Sequence, residues 1–180
     1  FPPGFRYIFQ YTFSLGLSII FLNDQVPEPE RGAVRMKLRE LLQGIEVLSA
    51  TADLDQEVPG VSHDSRTVRP GDLFVAMRGF AADGHAFIGK AAECGAAAVV
   101  CETPPEGNLP YVQVADARRA LAVLGANFYG HPAERMTMIG VTGTNGKTTT
   151  TYLLKAVLEQ VLGAQVGLIG TNQNMIGDTV

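Results

Sequence analysis

Short apolar runs alternate with stretches of helical periodicity along most of this chain. Asp72 to Met77 follows a Pro70-Gly71 turn and reads as a strand, as do Ala96 to Cys101, Tyr111 to Val114, Met136 to Val141 and Gln165 to Ile169. Between them lie helical patterns. His85 to Cys94 turns Phe87, Ile88, Ala91 and Ala92 inward and stops at Gly95. Asp116 caps a helix running to Tyr129, with Ala120, Leu121, Leu124 and Phe128 on its buried face. Leu153, Leu154, Val157, Leu158, Val161 and Leu162 recur at helical spacing up to Gly163. Upstream, Leu38, Leu41 and Leu42 share a face of a short helix, Lys37 to Gln43, that ends near Gly44. Ile45 to Leu48 reads as a short strand, and Val58 to His63 as an extended segment leading into Asp64-Ser65-Arg66. Strands alternating with helices make the fold class α/β.

The punctuation divides the chain. Gly130-His131-Pro132 ends the capped helix and separates residues 36–133 from residues 134–180. The second part holds one βαβ unit, which cannot shield both faces of a parallel sheet. It is therefore expected to open a larger domain, in the N-terminal part of a longer protein.

Residues 1–35 differ from the rest. Five of the nine Phe are here, and the apolar stretch Phe13 to Leu22 is too short to span a membrane. A weak basic start and the lack of a small-residue cleavage site argue against a signal peptide. Val26 to Gly32 reads as a linker, and Met36 is expected to be the natural start. The alternative is a true extension that packs on the domain or anchors it to a membrane surface.

With 46% hydrophobic and 18% charged residues, the chain can bury a core. A net charge of −4 and a pI near 5.3 argue against a general nucleic-acid binder. Cys94 and Cys101 lack CxxC spacing and read as thiols in a reducing compartment. His63, His85 and His131 fit no HExxH pattern.

Candidate chemistry concentrates where the Met136 to Val141 strand runs into Thr142-Gly143-Thr144-Asn145-Gly146-Lys147-Thr148-Thr149. Gly143 and Gly146 permit a tight turn and a close ligand approach. Amides of such a turn, with a helix N-terminus behind them, favour negative charge. Lys147 adds a point charge for the outer phosphates, and Thr148 a hydroxyl for Mg²⁺. The spacing is not the strict G-x-x-x-x-G-K-[ST] pattern, because Val141 stands where its first Gly belongs. Two further loops follow strands, where α/β sheets place ligands: Asp64-Ser65-Arg66 and Gly79 to Gly84. The structural alternative makes Asp64 a turn former and Arg66 its surface partner.

Gly140 to Thr151 resembles the ATP loop of the Mur ligases, which folylpolyglutamate synthetases share. Asp64-Ser65-Arg66, Pro70 to Ala76, Asp83 to Ile88 and Gly95-Ala96 resemble the UDP-binding domain of the types that add the third residue or the terminal dipeptide. Gly167 to Thr171 and the four-Thr run favour the third-residue type. The resemblance covers Met36 to Val180. It implies a UDP-binding α/β domain followed by the first βαβ unit of a P-loop-like ATPase domain.

The implied reaction adds a diamino acid, meso-diaminopimelate or L-lysine, to UDP-MurNAc-L-Ala-D-Glu through an acyl phosphate, using ATP and Mg²⁺. Gly143, Thr144, Asn145, Gly146, Lys147, Thr148 and Thr149 would hold ATP. Lys147 would neutralise developing charge, and Thr148 would ligate Mg²⁺. His63, Ser65, Phe80, Ala81 and Ala82 would contact the UDP substrate. Where some relatives have His-Gln-Ala, this chain has Phe80-Ala81-Ala82, so only backbone contacts carry over there. The resemblance further implies a cytoplasmic monomer with no membrane span and no nucleic-acid partner. These 180 residues alone are expected to be inactive. A folate-type ligase, a non-catalytic nucleotide-binding module and a membrane-anchored variant are the competing readings.

Overall fold

Residues 18–23, 35–79, 83–170 and 172–177 are described by the computed structural model. The chain divides into two units, Pro29–Gly130 and Phe1–Glu28 with His131–Val180. In chain order the strands are β1 (Ser18–Asn23), β2 (Met36–Lys37), β3 (Val47–Ala50), β4 (Glu57–Val58), β5 (Val61–Ser62), β6 (Leu73–Val75), β7 (Ala98–Cys101), β8 (Tyr111–Val114), β9 (Met136–Val141), β10 (Gln165–Ile169) and β11 (Asn174–Ile176). The helices are α1 (Leu38–Leu41), α2 (Ile88–Glu93), α3 (Ala117–Phe128) and α4 (Lys147–Leu162).

The first unit is built on a sheet of order β3-β8-β7-β6-β5. β5 to β8 are parallel, and β3 closes one edge antiparallel to β8. Every residue of β6 and β7 is buried, as expected for central parallel strands covered on both faces. Side chains alternate across the pleat. Phe74, Val99 and Cys101 therefore point to one face, where they pack with Ile88, Ala91, Val68 and Ala96. Leu73, Val75, Ala98 and Val100 are left for the other face. α1 and α3 pack on each other and bury Leu38, Leu41, Leu121 and Leu124. Asn127 Nδ2 fastens that pair, donating to Leu41 O at 2.8 Å and to Gln43 O at 2.9 Å. Asp116 caps α3 as its sequence position requires, its carboxylate accepting from Arg119 N at 2.9 Å.

Several boundaries differ from the sequence expectation. Pro59-Gly60 splits the segment from Val58 to His63 into two strand pieces. The strand expected at Ile45 to Leu48 forms two residues later, where it pairs with β8 across an irregularity between Val47 and Ser49. The helix expected over His85 to Cys94 begins as a 3₁₀ turn, Gly84–Phe87, and only Ile88–Glu93 is α-helical. That tighter first turn shifts the angular register. Ile88 and Ala91 are buried as expected, while Phe87 is 43% exposed and Ala92 is exposed.

In the second unit the sheet order is β11-β10-β1-β9. β9 and β10 share one direction, as the connection through α4 requires. β1 lies between them and runs antiparallel to both. Ile19 is opposite Gly140 on one side and Ile169 on the other. The residues expected to be upstream sequence or an extension thus include a central strand. Gly163, at φ 60°, ends α4 in the left-handed conformation that glycine adopts without strain. α4 buries Thr151 and Lys155, while Leu153, Val157, Val161 and Leu162 are exposed. Lys155 Nζ is neutralised by Glu159, 2.7 Å from each carboxylate oxygen one turn further on. Among the described residues, no helix is long and apolar enough to cross a membrane.

Candidate functional site

In the first unit, candidate groups gather where the parallel strands end. β5 runs into a turn closed by Asp64. Its carboxylate accepts Arg66 N at 2.9 Å, and its carbonyl accepts Thr67 N at 2.9 Å. The Arg66 guanidinium returns to the same carboxylate, with Nε 2.9 Å from Oδ1 and Nη2 2.7 Å from Oδ2. That hydrogen-bonded guanidinium lowers the Asp64 pKa to about 2 and raises that of Arg66. Asp64 and Arg66 therefore satisfy each other, as the structural alternative held. Ser65, between them, is 7% exposed, and its hydroxyl takes part in none of the bonds that close the turn. His63 is half-buried at the start of the same turn. Phe80, Ala81 and Ala82 lie outside the described residues.

The exits of β6 and β7 are tied together beside this turn. Gly84 N donates to Met77 O at 2.7 Å, and a bridge joins Arg78 to Asp83. Asp83 accepts from His85 N at 2.9 Å and from His85 Nδ1 at 2.7 Å. Across the gap, Glu102 N and Thr103 N donate to His85 Nε2 at 3.2 and 3.4 Å. Glu102 Oε1 accepts Ala117 N at the head of α3, and Oε2 lies 3.4 Å from Arg78 Nε. A cleft of about 580 Å³ opens here, lined by Arg78, His85, Thr103, Glu106, Asn108 and Leu109 among others. Sequence reasoning passed over His85, Arg78 and Glu102. The usable signal was the Asp83-Gly84-His85 order, which places an acceptor two residues before a ring donor.

In the second unit, β9 ends at Val141 and α4 starts at Lys147. Gly143 has φ 152° and Gly146 has φ 76°, both on the positive side that favours glycine. Thr150 N is bonded to Gly146 O, so the amides of Lys147, Thr148 and Thr149 precede the first such bond of α4. Lys147 Nζ donates to Gly143 O at 2.6 Å, keeping its charge over the turn. Thr142 to Gly146 are exposed, with Lys147 and Thr148 half-buried behind them. Free amides, a cation and a sixteen-residue helix aligned behind them suit an anion with several oxygens. Thr148 offers one hydroxyl to a cation carried by that anion. Among the described residues, no three His, Cys, Asp or Glu side chains gather to hold a metal. Cys94 and Cys101 are both free thiols, and burial pushes the Cys101 thiol up to about 11.

Two family profiles match the chain. The Mur ligase family catalytic domain covers residues 57–129, and the Mur ligase middle domain covers residues 141–179. The chain belongs to the Mur ligase family. Among its curated relatives is the UDP-N-acetylmuramoyl-L-alanyl-D-glutamate--2,6-diaminopimelate ligase 1 of Clostridium acetobutylicum, 46% identical over 79% of this chain and 30% of the relative. The UDP-N-acetylmuramyl-tripeptide synthetase of Roseiflexus sp. (strain RS-1) is 51% identical over 79% of this chain and 28% of the relative. A solved structure of a UDP-N-acetylmuramoyl-L-alanyl-D-glutamate--2,6-diaminopimelate ligase matches 82% of this chain and 30% of its own, with 25% identity and a TM-score of 0.61. This Mur ligase chain spans less than a third of each. The family resemblance read from the Gly140 to Thr151 loop and the upstream segments is borne out, as is the α/β class.

Proposed function

We propose that this chain carries the UDP-substrate domain and the phosphate-binding turn of a Mur ligase of the third-residue type. Such an enzyme joins a diamino acid to UDP-MurNAc-L-Ala-D-Glu. The observation that carries the reading is the Gly143 to Thr149 turn, with Lys147 and the amides that precede the first main-chain bond of α4 at its head. ATP, when bound, supplies the phosphoryl group that activates the D-glutamyl carboxylate. Gly143, Thr144, Asn145, Gly146 and Thr149 would seat its phosphates through the backbone. Lys147, now bonded to Gly143 O, would neutralise charge developing on the phosphates, and Thr148 would offer its hydroxyl to Mg²⁺.

At the first unit's sheet edge, Ser65 would contact the UDP end, helped by the backbone at His63. The names of the Clostridium acetobutylicum relative and of the solved ligase support 2,6-diaminopimelate as the added diamino acid. Use of a nucleotide-linked substrate and ATP supports a cytoplasmic reaction. Because the match covers less than a third of these relatives, the 180 residues are proposed to bind without completing turnover.

Calorimetric titration tests this reading. UDP-MurNAc-L-Ala-D-Glu is expected to give heat that Ser65→Ala abolishes. Mg-ATP is expected to bind roughly 10- to 100-fold more weakly to Lys147→Ala, the worth of a charge-assisted contact. A folded chain that ignores the UDP ligand, or binds a folate substrate instead, would overturn the assignment.

A further inference from the structure

His85 has no role in the proposed chemistry, yet its ring joins two segments leaving the same sheet edge. Nδ1 lies 2.7 Å from Asp83 Oδ1, while Nε2 lies 3.2 Å from Glu102 N and 3.4 Å from Thr103 N. Backbone amides only donate, so Nε2 must accept with its lone pair. The single ring proton then sits on Nδ1, facing the carboxylate. Both sets of partners select the same neutral tautomer. A second proton would sit on Nε2 and point at two N–H groups.

Among the described residues, the charged groups that face this ring come from four places. Asp83 belongs to its own turn, and Arg78 lies at the exit of β6. Glu102 lies at the exit of β7, Glu106 lines the same cleft, and Arg118 of α3 holds Arg78 O at 3.1 Å. Asp83 is held below its usual range by hydrogen bonds from the His85 amide and then the His85 ring. It stays ionised across the interval from about pH 8 to about pH 5 in which imidazoles change charge. Glu102 is engaged with Ala117 N and Arg78. Gly84 lies close against the Met77 backbone, where an added Cβ would stand 2.6 Å from Met77 O.

We propose that neutral His85 is a positioning residue for the nucleotide end of the substrate, clasping the Asp83–Gly84 turn to the exit of β7 and releasing it on protonation. The inference rests on the proposed UDP site at this sheet edge. His63 and Ser65 leave β5, the neighbour of β6, so the clasp stiffens the wall beside them. Loss of both Nε2 bonds is expected to weaken substrate binding about tenfold.

The test combines two readouts on the full 180-residue chain. Affinity for UDP-MurNAc-L-Ala-D-Glu is measured by calorimetry from about pH 8 to about pH 5. Exchange of the Glu102 and Thr103 amides, corrected for intrinsic rates, is followed by NMR over the same range. The wild type is expected to lose about tenfold in affinity and to lose protection at both amides as pH falls. His85→Gln places an amide oxygen near the Nε2 position and has nothing to titrate, so its affinity and protection stay flat with pH. His85→Ala is weak and unprotected throughout. A wild type flat in both readouts, or a Gln variant that falls as steeply as wild type, overturns the inference. Absence of binding at every pH, with His85-dependent protection intact, overturns the UDP reading and the positioning role while leaving a structural clasp. The two failures are thereby told apart.

Discussion

Alanine at position 84 would place its Cβ 2.6 Å from Met77 O and 2.7 Å from Met77 N. Ordinary contact begins at 3.4 Å, so the shortfall is 0.8 and 0.7 Å, and both obstacles are backbone atoms. Neither can swing aside as a flexible side chain would. Relief requires moving the turn, which breaks the 2.7 Å bond from Gly84 N to Met77 O. Overpacking of this kind costs about 1–3 kcal/mol, and the lost hydrogen bond about 1 more. Gly84→Ala should therefore lose about 2–4 kcal/mol of the first unit's stability.

Gly89 is the internal control. It lies five residues on, in α2, with nothing within 4 Å of a Cβ and no positive φ. Gly89→Ala should leave stability unchanged or raise it by up to about 1 kcal/mol, through helix propensity and a less disordered unfolded chain. Urea unfolding followed by far-UV circular dichroism suits a chain without tryptophan. With a slope of about 1–3 kcal/mol per molar, Gly84→Ala should lower the midpoint by roughly 1 M or more. Equal effects at the two positions, or a Gly84 variant within about 0.5 kcal/mol of wild type, would refute the contact argument.

Two other outcomes are expected. Asp64 has its pKa lowered from 3.8 to about 2, so its contribution is present above about pH 4 and vanishes as pH falls through 2. Because Arg66 is well exposed, that contribution is about 1 kcal/mol after screening, and Asp64→Asn should flatten the acid limb of a stability-against-pH curve by that amount. Asp116→Ala removes the cap on Arg119 N and should cost about 1 kcal/mol in the same urea assay, with Asp116→Asn near wild type.

Local features were the legible ones. The phosphate turn is contiguous, and its glycines, lysine and following helix stand in the sequence in the order the structure uses them. Asp116 capped α3, and β6, β7 and β8 announced themselves as short apolar runs. What failed to show in the sequence depended on partners far along the chain. His85 takes its meaning from amides 17 and 18 residues away. Phe87 faces outward because a 3₁₀ turn precedes α2, a detail that an apolar period of 3.6 does not carry. β1 was unrecognised for the same reason. Nothing within Ser18 to Asn23 names Met136 to Val141 or Gln165 to Ile169 as its neighbours.

That central strand also governs the order in which the molecule can be made. Asn23 pairs with Met136, more than 110 residues later, and the whole of the first unit lies between them. On a ribosome, β1 emerges first and waits, unpaired on both edges, while residues 29–130 appear and close their own sheet. Only after Ile169 has left the exit tunnel can the strand be flanked on both sides. Pairings of such sequence separation are slow, and an unpaired strand awaiting them is exposed to wrong partners.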